Sequence, residues 1–183
     1  MNNAQSIVGF STDRAEADYY PTPPETTEAL FKREKFEGNI WECACGDGRM
    51  AKVIEKYNTC IATELRQGKD VYGEQGVDFL NEHREVDNII TNPPYKLALR
   101  FAQRSLLLAD KKVALLLKLV FLEGSGRYEF FRKSPLRTVY VFCKRQSIWK
   151  NGNEGANSGL IAYAWFVWDK SYKGKPYIDW IND

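Results

Sequence analysis

The sequence predicts a doubly wound α/β fold, and three observations carry that expectation. Short apolar runs alternate with segments whose apolar residues recur at helical spacing, the pattern of strands linked through helices into a parallel sheet. Hydrophobic residues make up 44% of the 183 residues, enough for a full core, which excludes a wholly disordered chain. The last two strand-like runs are joined by a Gly/Asn-rich stretch, 151–159, without a helix. A direct link of that length fits an antiparallel pair at one edge of the sheet.

The elements follow in order. Residues 1–18 are polar and mixed, the composition of an N-terminal arm. A helix at 26–33 follows Thr22 and its two prolines, with Thr22 placed as an N-cap and proline at the first helical position. Residues 39–45 read as a strand that runs into Gly46-Asp47-Gly48. Residues 49–57 carry Met50, Val53, Ile54 and Tyr57 at helical spacing. Strands follow at 59–65 and 76–79, and another at 87–91 leads into Asn92-Pro93-Pro94-Tyr95. Residues 97–109 form an amphipathic helix, 112–120 an apolar strand and 128–132 a short helical piece. The strands 137–144 and 160–168, the second rich in aromatics, bring the sheet to seven.

Composition narrows the function classes. The length suits a single domain. Lys+Arg of 26 against Asp+Glu of 24 gives a net charge of +2, too small to argue for nucleic acid by itself. Cys43, Cys45, Cys60 and Cys143 contain no C-x-x-C pair and His83 is the single histidine, so no metal site is expected. Three of the cysteines sit in strand-like runs, which suits reduced, buried thiols in a cytoplasmic protein. The N-terminus has neither a basic start nor an apolar core, so no signal peptide is expected. The apolar run 113–122 is broken by Lys118 and is too short to span a membrane.

Asn92-Pro93-Pro94-Tyr95 is the most informative feature. Two prolines remove two N–H donors, and each holds the residue before it out of the helical region. Asn92 and Pro93 are therefore extended, with carbonyls able to accept hydrogen bonds from outside the protein. The Asn92 side chain adds another acceptor and Tyr95 a flat face. Such a tip suits a planar group bearing an NH2, such as a nucleobase edge. The alternative is a plain turn that ends a strand.

Five further places can carry chemistry. Glu42-Cys43-Ala44-Cys45-Gly46-Asp47-Gly48 follows a strand and opens a helix, and its glycines allow a ligand close to the backbone. It is G-x-G without the full dinucleotide fingerprint, so a tight turn is the competing reading. Glu64 ends the next strand, 18 residues beyond Gly46, where a carboxylate is expected to accept ribose hydroxyls. Asp78 can accept from an adenine amino group while Phe79 packs on the ring. Thr22-Pro23 at a helix start can hold a carboxylate. The basic stretch with Lys144, Arg145 and Trp149 suits single-stranded or flipped nucleic acid, or is an ordinary surface loop.

Together these motifs resemble the class I S-adenosylmethionine-dependent methyltransferases, and more narrowly the adenine-specific (N6) DNA methyltransferases with an N-P-P-Y motif. The resemblance covers roughly residues 19–170, with five loose motifs in the gamma-type order. It implies a Rossmann-like, mostly parallel sheet with an antiparallel edge strand and S-adenosylmethionine as cofactor. It also implies methyl transfer to an adenine amino group in DNA. Thr22 and Pro23 would then contact the methionine part. Glu42, Ala44, Gly46 and Gly48 would line the cofactor, Glu64 would bind its ribose, and Asp78 and Phe79 its adenine. Asn92 and the Pro93 carbonyl would accept from the target NH2, with Pro94 completing the motif and Tyr95 stacking on the flipped base. Residues 19–183 are expected to form one catalytic domain without a separate target-recognition domain, and the partner is nucleic acid rather than a membrane. RNA adenine, protein glutamine, and a non-catalytic nucleic-acid-binding role are the alternatives.

Overall fold

The computed structural model describes residues 20–144, 146, 148 and 161–182. In chain order they form α1 (Pro24–Arg33), β1 (Ile40–Glu42), α2 (Arg49–Ile54), β2 (Cys60–Glu64), β3 (Glu74–Gln75) and β4 (Val86–Thr91). Then come α3 (Ala98–Leu108), β5 (Ala109–Lys118), α4 (Ser125–Lys133), β6 (Leu136–Phe142), β7 (Tyr163–Asp169) and β8 (Tyr177–Ile181). Short 3-10 turns stand at Phe79–Asn81, Tyr95–Leu97 and Leu119–Leu122.

The strands make one sheet in the order β3-β2-β1-β4-β5-β7-β6-β8. Each strand sends alternate residues to opposite faces, and both faces are covered. Val113, Leu115 and Leu117 of β5 join Phe101 and Ala102 of α3 and Phe166 of β7 in one core layer. Ala114 and Leu116 join Leu30 of α1, Met50 and Ile54 of α2, and Trp165 of β7 in the other. Helices on both faces of a mostly parallel sheet are the doubly wound, Rossmann-like arrangement expected.

Three details of the sheet differ from the expectation. It has eight strands, because Tyr177–Ile181 adds a parallel strand outside β6. The antiparallel strand is not at the edge. β7 lies between β5 and β6, antiparallel to both, and all seven of its residues are buried. The third strand is also displaced: Glu74–Gln75 pairs with Thr63 and Glu64, and Asp78 opens a 3-10 turn in place of ending a strand.

From β1 the chain winds outward through β2 to β3, then returns to β4 on the other side of β1 and winds outward to β5. Strand order therefore reverses between β1 and β4. The carboxyl ends of the strands at such a reversal flank a crevice where ligands bind in this class of sheet. The Gly46 turn follows β1 and Asn92 follows β4, so both stand at that crevice.

Among the described residues no helix is long and apolar enough to cross a membrane, and no metal-binding cluster of His, Cys, Asp or Glu occurs. All four cysteines are free, but Cys143 is exposed, unlike the buried thiol expected of its strand-like run.

Candidate active site

Asn92 is held by the segment that precedes α1. Its Nδ2 donates to the Tyr20 carbonyl at 3.1 Å and to Thr22 Oγ1 at 3.0 Å. A backbone carbonyl can only accept, so it fixes which end of the amide faces it. The other end, Oδ1, is buried and meets no donor among the described residues. A buried acceptor left without a donor costs about 1–3 kcal/mol. The site therefore holds an acceptor, aimed by two bonds on its own amide nitrogen, in need of an N–H.

Thr22 differs in role from the expected helix cap. The N-cap of α1 is Pro23, without a side-chain bond, and Pro24 takes the first helical position. Proline after Thr22 keeps that residue extended and one step too early to cap. Its hydroxyl is 5% exposed and turned to Asn92 instead. Pro93 is buried, and Pro94 accepts from Leu97 N at 2.8 Å to close the Tyr95–Leu97 turn.

That turn packs the Tyr95 ring among Tyr20 (centroids 5.1 Å apart), Tyr163 at the start of β7 (5.8 Å), and the Lys118 ammonium, 4.5 Å from the ring centre. The Tyr95 hydroxyl is buried beside Tyr163 and Asn92 without a hydrogen bond of good geometry. Burial first, and the Tyr163 phenol second, hold its pKa well above the usual tyrosine value. A base that stacks on Tyr95 must take the place now held by Lys118 or Tyr20. Tyr95 also borders an open pocket of about 120 Å³, walled by Ala98, Leu117, Val120 and Phe121 with Lys118 and Arg127.

Gly46 and Gly48 take positive φ of 55° and 81°. At Gly48 a Cβ would stand 2.3 Å from the Tyr72 ring, so only glycine lets the 65–73 loop close over the turn. The turn is tied to the end of β2. Gly46 N donates to Glu64 Oε2 at 2.8 Å, and Arg66 N donates to Glu64 Oε1 at 3.0 Å. Oε1 also faces the Arg66 guanidinium, with Nε at 3.5 Å, while Oε2 keeps a second lone pair. Glu42, 1% exposed, accepts from Thr91 Oγ1 at 2.6 Å and Ala44 N at 3.3 Å, which links the end of β1 to the end of β4. Burial pushes its carboxyl up to about 8, against the lowering effect of those two donors.

The remaining candidates divide. Asp78 caps its own 3-10 turn, accepting from Leu80 N at 3.0 Å and Asn81 Nδ2 at 2.8 Å. Phe79 is 2% exposed, packed between Trp41 and Phe101, so its ring belongs to the core. This corrects its reading as a face open to adenine: Asp78 opens a 3-10 turn, and that turn carries the next side chain into the core. Lys144 is exposed just beyond β6, and Arg145 and Trp149 lie outside the described residues. Asn92, Tyr95, Thr22, Glu42, Gly46, Gly48 and Glu64 thus gather around the carboxyl ends of β1, β2 and β4. Sequence reasoning missed Tyr20, Tyr163 and Lys118. Lys118, which breaks the apolar run 113–122, was the available signal for the last.

No protein-family model and no curated protein sequence matches the chain. Solved structures do share its fold. A type I restriction-modification methyltransferase subunit from Streptococcus thermophilus superposes with a TM-score of 0.61 at 14% identity, over 91% of this chain and 47% of that one. The EcoKI M protein gives 0.64 at 14%, over 89% and 48%. A Pyrococcus horikoshii protein provisionally assigned as an RNA methyltransferase gives 0.64 at 14%, over 90% and 92%. The chain thus spans about half the length of the two type I subunits.

Proposed function

We propose that this protein transfers a methyl group from S-adenosylmethionine to the exocyclic amino group of adenine in DNA. The observation that carries the reading is the buried, unpaired Asn92 Oδ1, oriented by Thr22 and Tyr20 at the strand reversal. The residues around that point fit the cofactor. A glycine turn follows β1, and Glu64 Oε2 beside it has a lone pair left for a ribose hydroxyl. Bound there, S-adenosylmethionine supplies an electrophilic methyl on a sulfonium.

An adenine amino nitrogen is a poor nucleophile because its lone pair is delocalised into the ring. Asn92 Oδ1 accepts one of its hydrogens and the Pro93 carbonyl the other. Two acceptors favour the pyramidal amine and stabilise the positive charge that grows as the C–N bond forms and the methyl–sulfur bond breaks, and the methylated nitrogen then gives up its extra proton to water. Tyr95 holds the base by stacking and offsets part of the cost of extruding it from a duplex. Holding the nitrogen in line with the methyl contributes the rest.

The DNA reading rests on the motif resemblance and on the fold shared with type I modification subunits. RNA is the second reading, favoured by the chain's match to nearly the full length of the provisionally assigned RNA methyltransferase. The test offers cofactor with a tritiated methyl to duplex DNA, single-stranded DNA, RNA and protein in parallel. Label in DNA adenine is expected; label confined to RNA or protein rejects the DNA assignment. Asn92→Ala is expected to bind cofactor and to lose about 10²–10³ in turnover. Wild-type turnover in that variant overturns the mechanism.

A further inference from the structure

The turn Leu119–Leu122 directly follows β5, beside the pocket that Tyr95 borders. Its outward side chains are apolar and exposed: Val120, a pocket residue, is 56% exposed and Leu122 39%. Such a pair alone is unremarkable on a protein surface. What sets this turn apart is how firmly it is held. Arg127 of α4 donates through Nε to Phe121 O at 2.8 Å and through Nη2 to the carbonyls of Val120 and Glu123. Its guanidinium lies 5.1 Å from the centre of the Phe121 ring. Leu119 N is tied to Ala162 O at 2.8 Å, and Phe121 is sunk in the core. Gly124 permits the clamp, since at its φ of 108° a Cβ would stand 2.9 Å from Arg127 Nη2. A charged side chain thus secures a turn that displays only aliphatic groups.

The flanks carry the opposite character. Lys118 precedes the turn, Lys96 and Arg100 stand exposed around the Tyr95–Leu97 turn, and Arg132 is exposed on α4; these cations outnumber the exposed acids there, Glu123 just after the turn and Glu129 paired with Lys133. A rigid apolar tip framed by cations matches a nucleic-acid duplex, whose phosphates attract the cations while the tip enters between base steps. We infer that Leu119–Leu122 is a duplex wedge: Val120, backed by Leu122, fills the gap left when the target base swings out toward Tyr95. Extrusion costs a few kcal/mol for a paired base and least for one already single-stranded. The wedge therefore acts on paired substrate only.

This inference rests on the DNA reading above, and one experiment separates the two. Transfer of tritiated methyl is measured on one plasmid-derived DNA, once as duplex and once heat-denatured. The double variant Val120→Ala/Leu122→Ala is expected to lower the ratio of duplex to single-strand labelling about tenfold. Gly124→Ala, which loosens the Arg127 clamp and leaves both apolar side chains, is expected to lower the same ratio. An unchanged ratio, or an equal loss on both substrates, overturns the wedge. Wild-type protein that labels single strands but not duplex also overturns it and leaves the adenine reading intact. Wild-type protein that labels neither form overturns the reading beneath it.

Discussion

Asn92 has two bonds that fix its amide, and only one of them comes from a side chain. Thr22→Val removes that hydroxyl and keeps the shape and the bond to Tyr20 O. One net hydrogen bond contributes about 0.5–1.5 kcal/mol, so turnover is expected to fall about three- to tenfold. Cofactor affinity measured by calorimetry should stay near that of the wild type if Thr22 acts through Asn92. If Thr22 instead touches the methionine part of the cofactor, affinity falls and turnover at saturation holds. The sequence pointed to Thr22 for the wrong bond. Thr-Pro-Pro reads as a cap, and nothing local reveals a partner 70 residues away.

The elements are tied at the opposite end of the sheet by Glu34, the residue that ends α1. Its carboxylate is 4% exposed and takes Lys112 of β5 at 2.9 Å, Arg137 of β6, and the Tyr140 hydroxyl at 2.7 Å. Removing Glu34 strips Lys112 and the Tyr140 hydroxyl of this partner, while Arg137 keeps Asp169 at 3.2 Å. Glu34→Ala is expected to cost about 3 kcal/mol and to lower the thermal midpoint by about 6–12 °C, read by calorimetry. Most elements were legible in the sequence because apolar runs such as 113–117 are too short for a helix and fit strands buried on both faces. β8 was not, since four of its five residues lack full burial and Pro176 stands just before it. Nor was the place of β7, because strand order depends on which sheet edge is open when the strand arrives. One local signal existed: Tyr163–Asp169 is apolar almost throughout rather than alternating, as interior strands are.

For the molecule as a whole, Glu42 ties stability to pH. Its folded pKa of about 8 lies above its ordinary 4.5 because of burial. The folded state therefore holds a proton that the unfolded state releases. The contribution is complete below about pH 4.5 and is lost as pH rises through about 8. Glu42→Gln keeps an acceptor for Thr91 and removes the titration. Urea midpoints should decline less between about pH 5 and about pH 8.5 in that variant than in the wild type; equal declines would place the linkage elsewhere.

The interior position of β7 also has a consequence in time. During synthesis β5 and β6 leave the ribosome first, yet neither can complete its pairing until Tyr163–Asp169 arrives to join both. Until then the apolar edge of β5, from Val113 to Leu117, stands open, the type of edge that recruits stray strands. Lys112 must find Asp169 and Leu136 must find Trp168 before the sheet closes. Such non-local closure is slow. The strand that joins β5 to β6 is thus made after both, and a nascent chain halted before it carries the apolar edge of β5 uncovered.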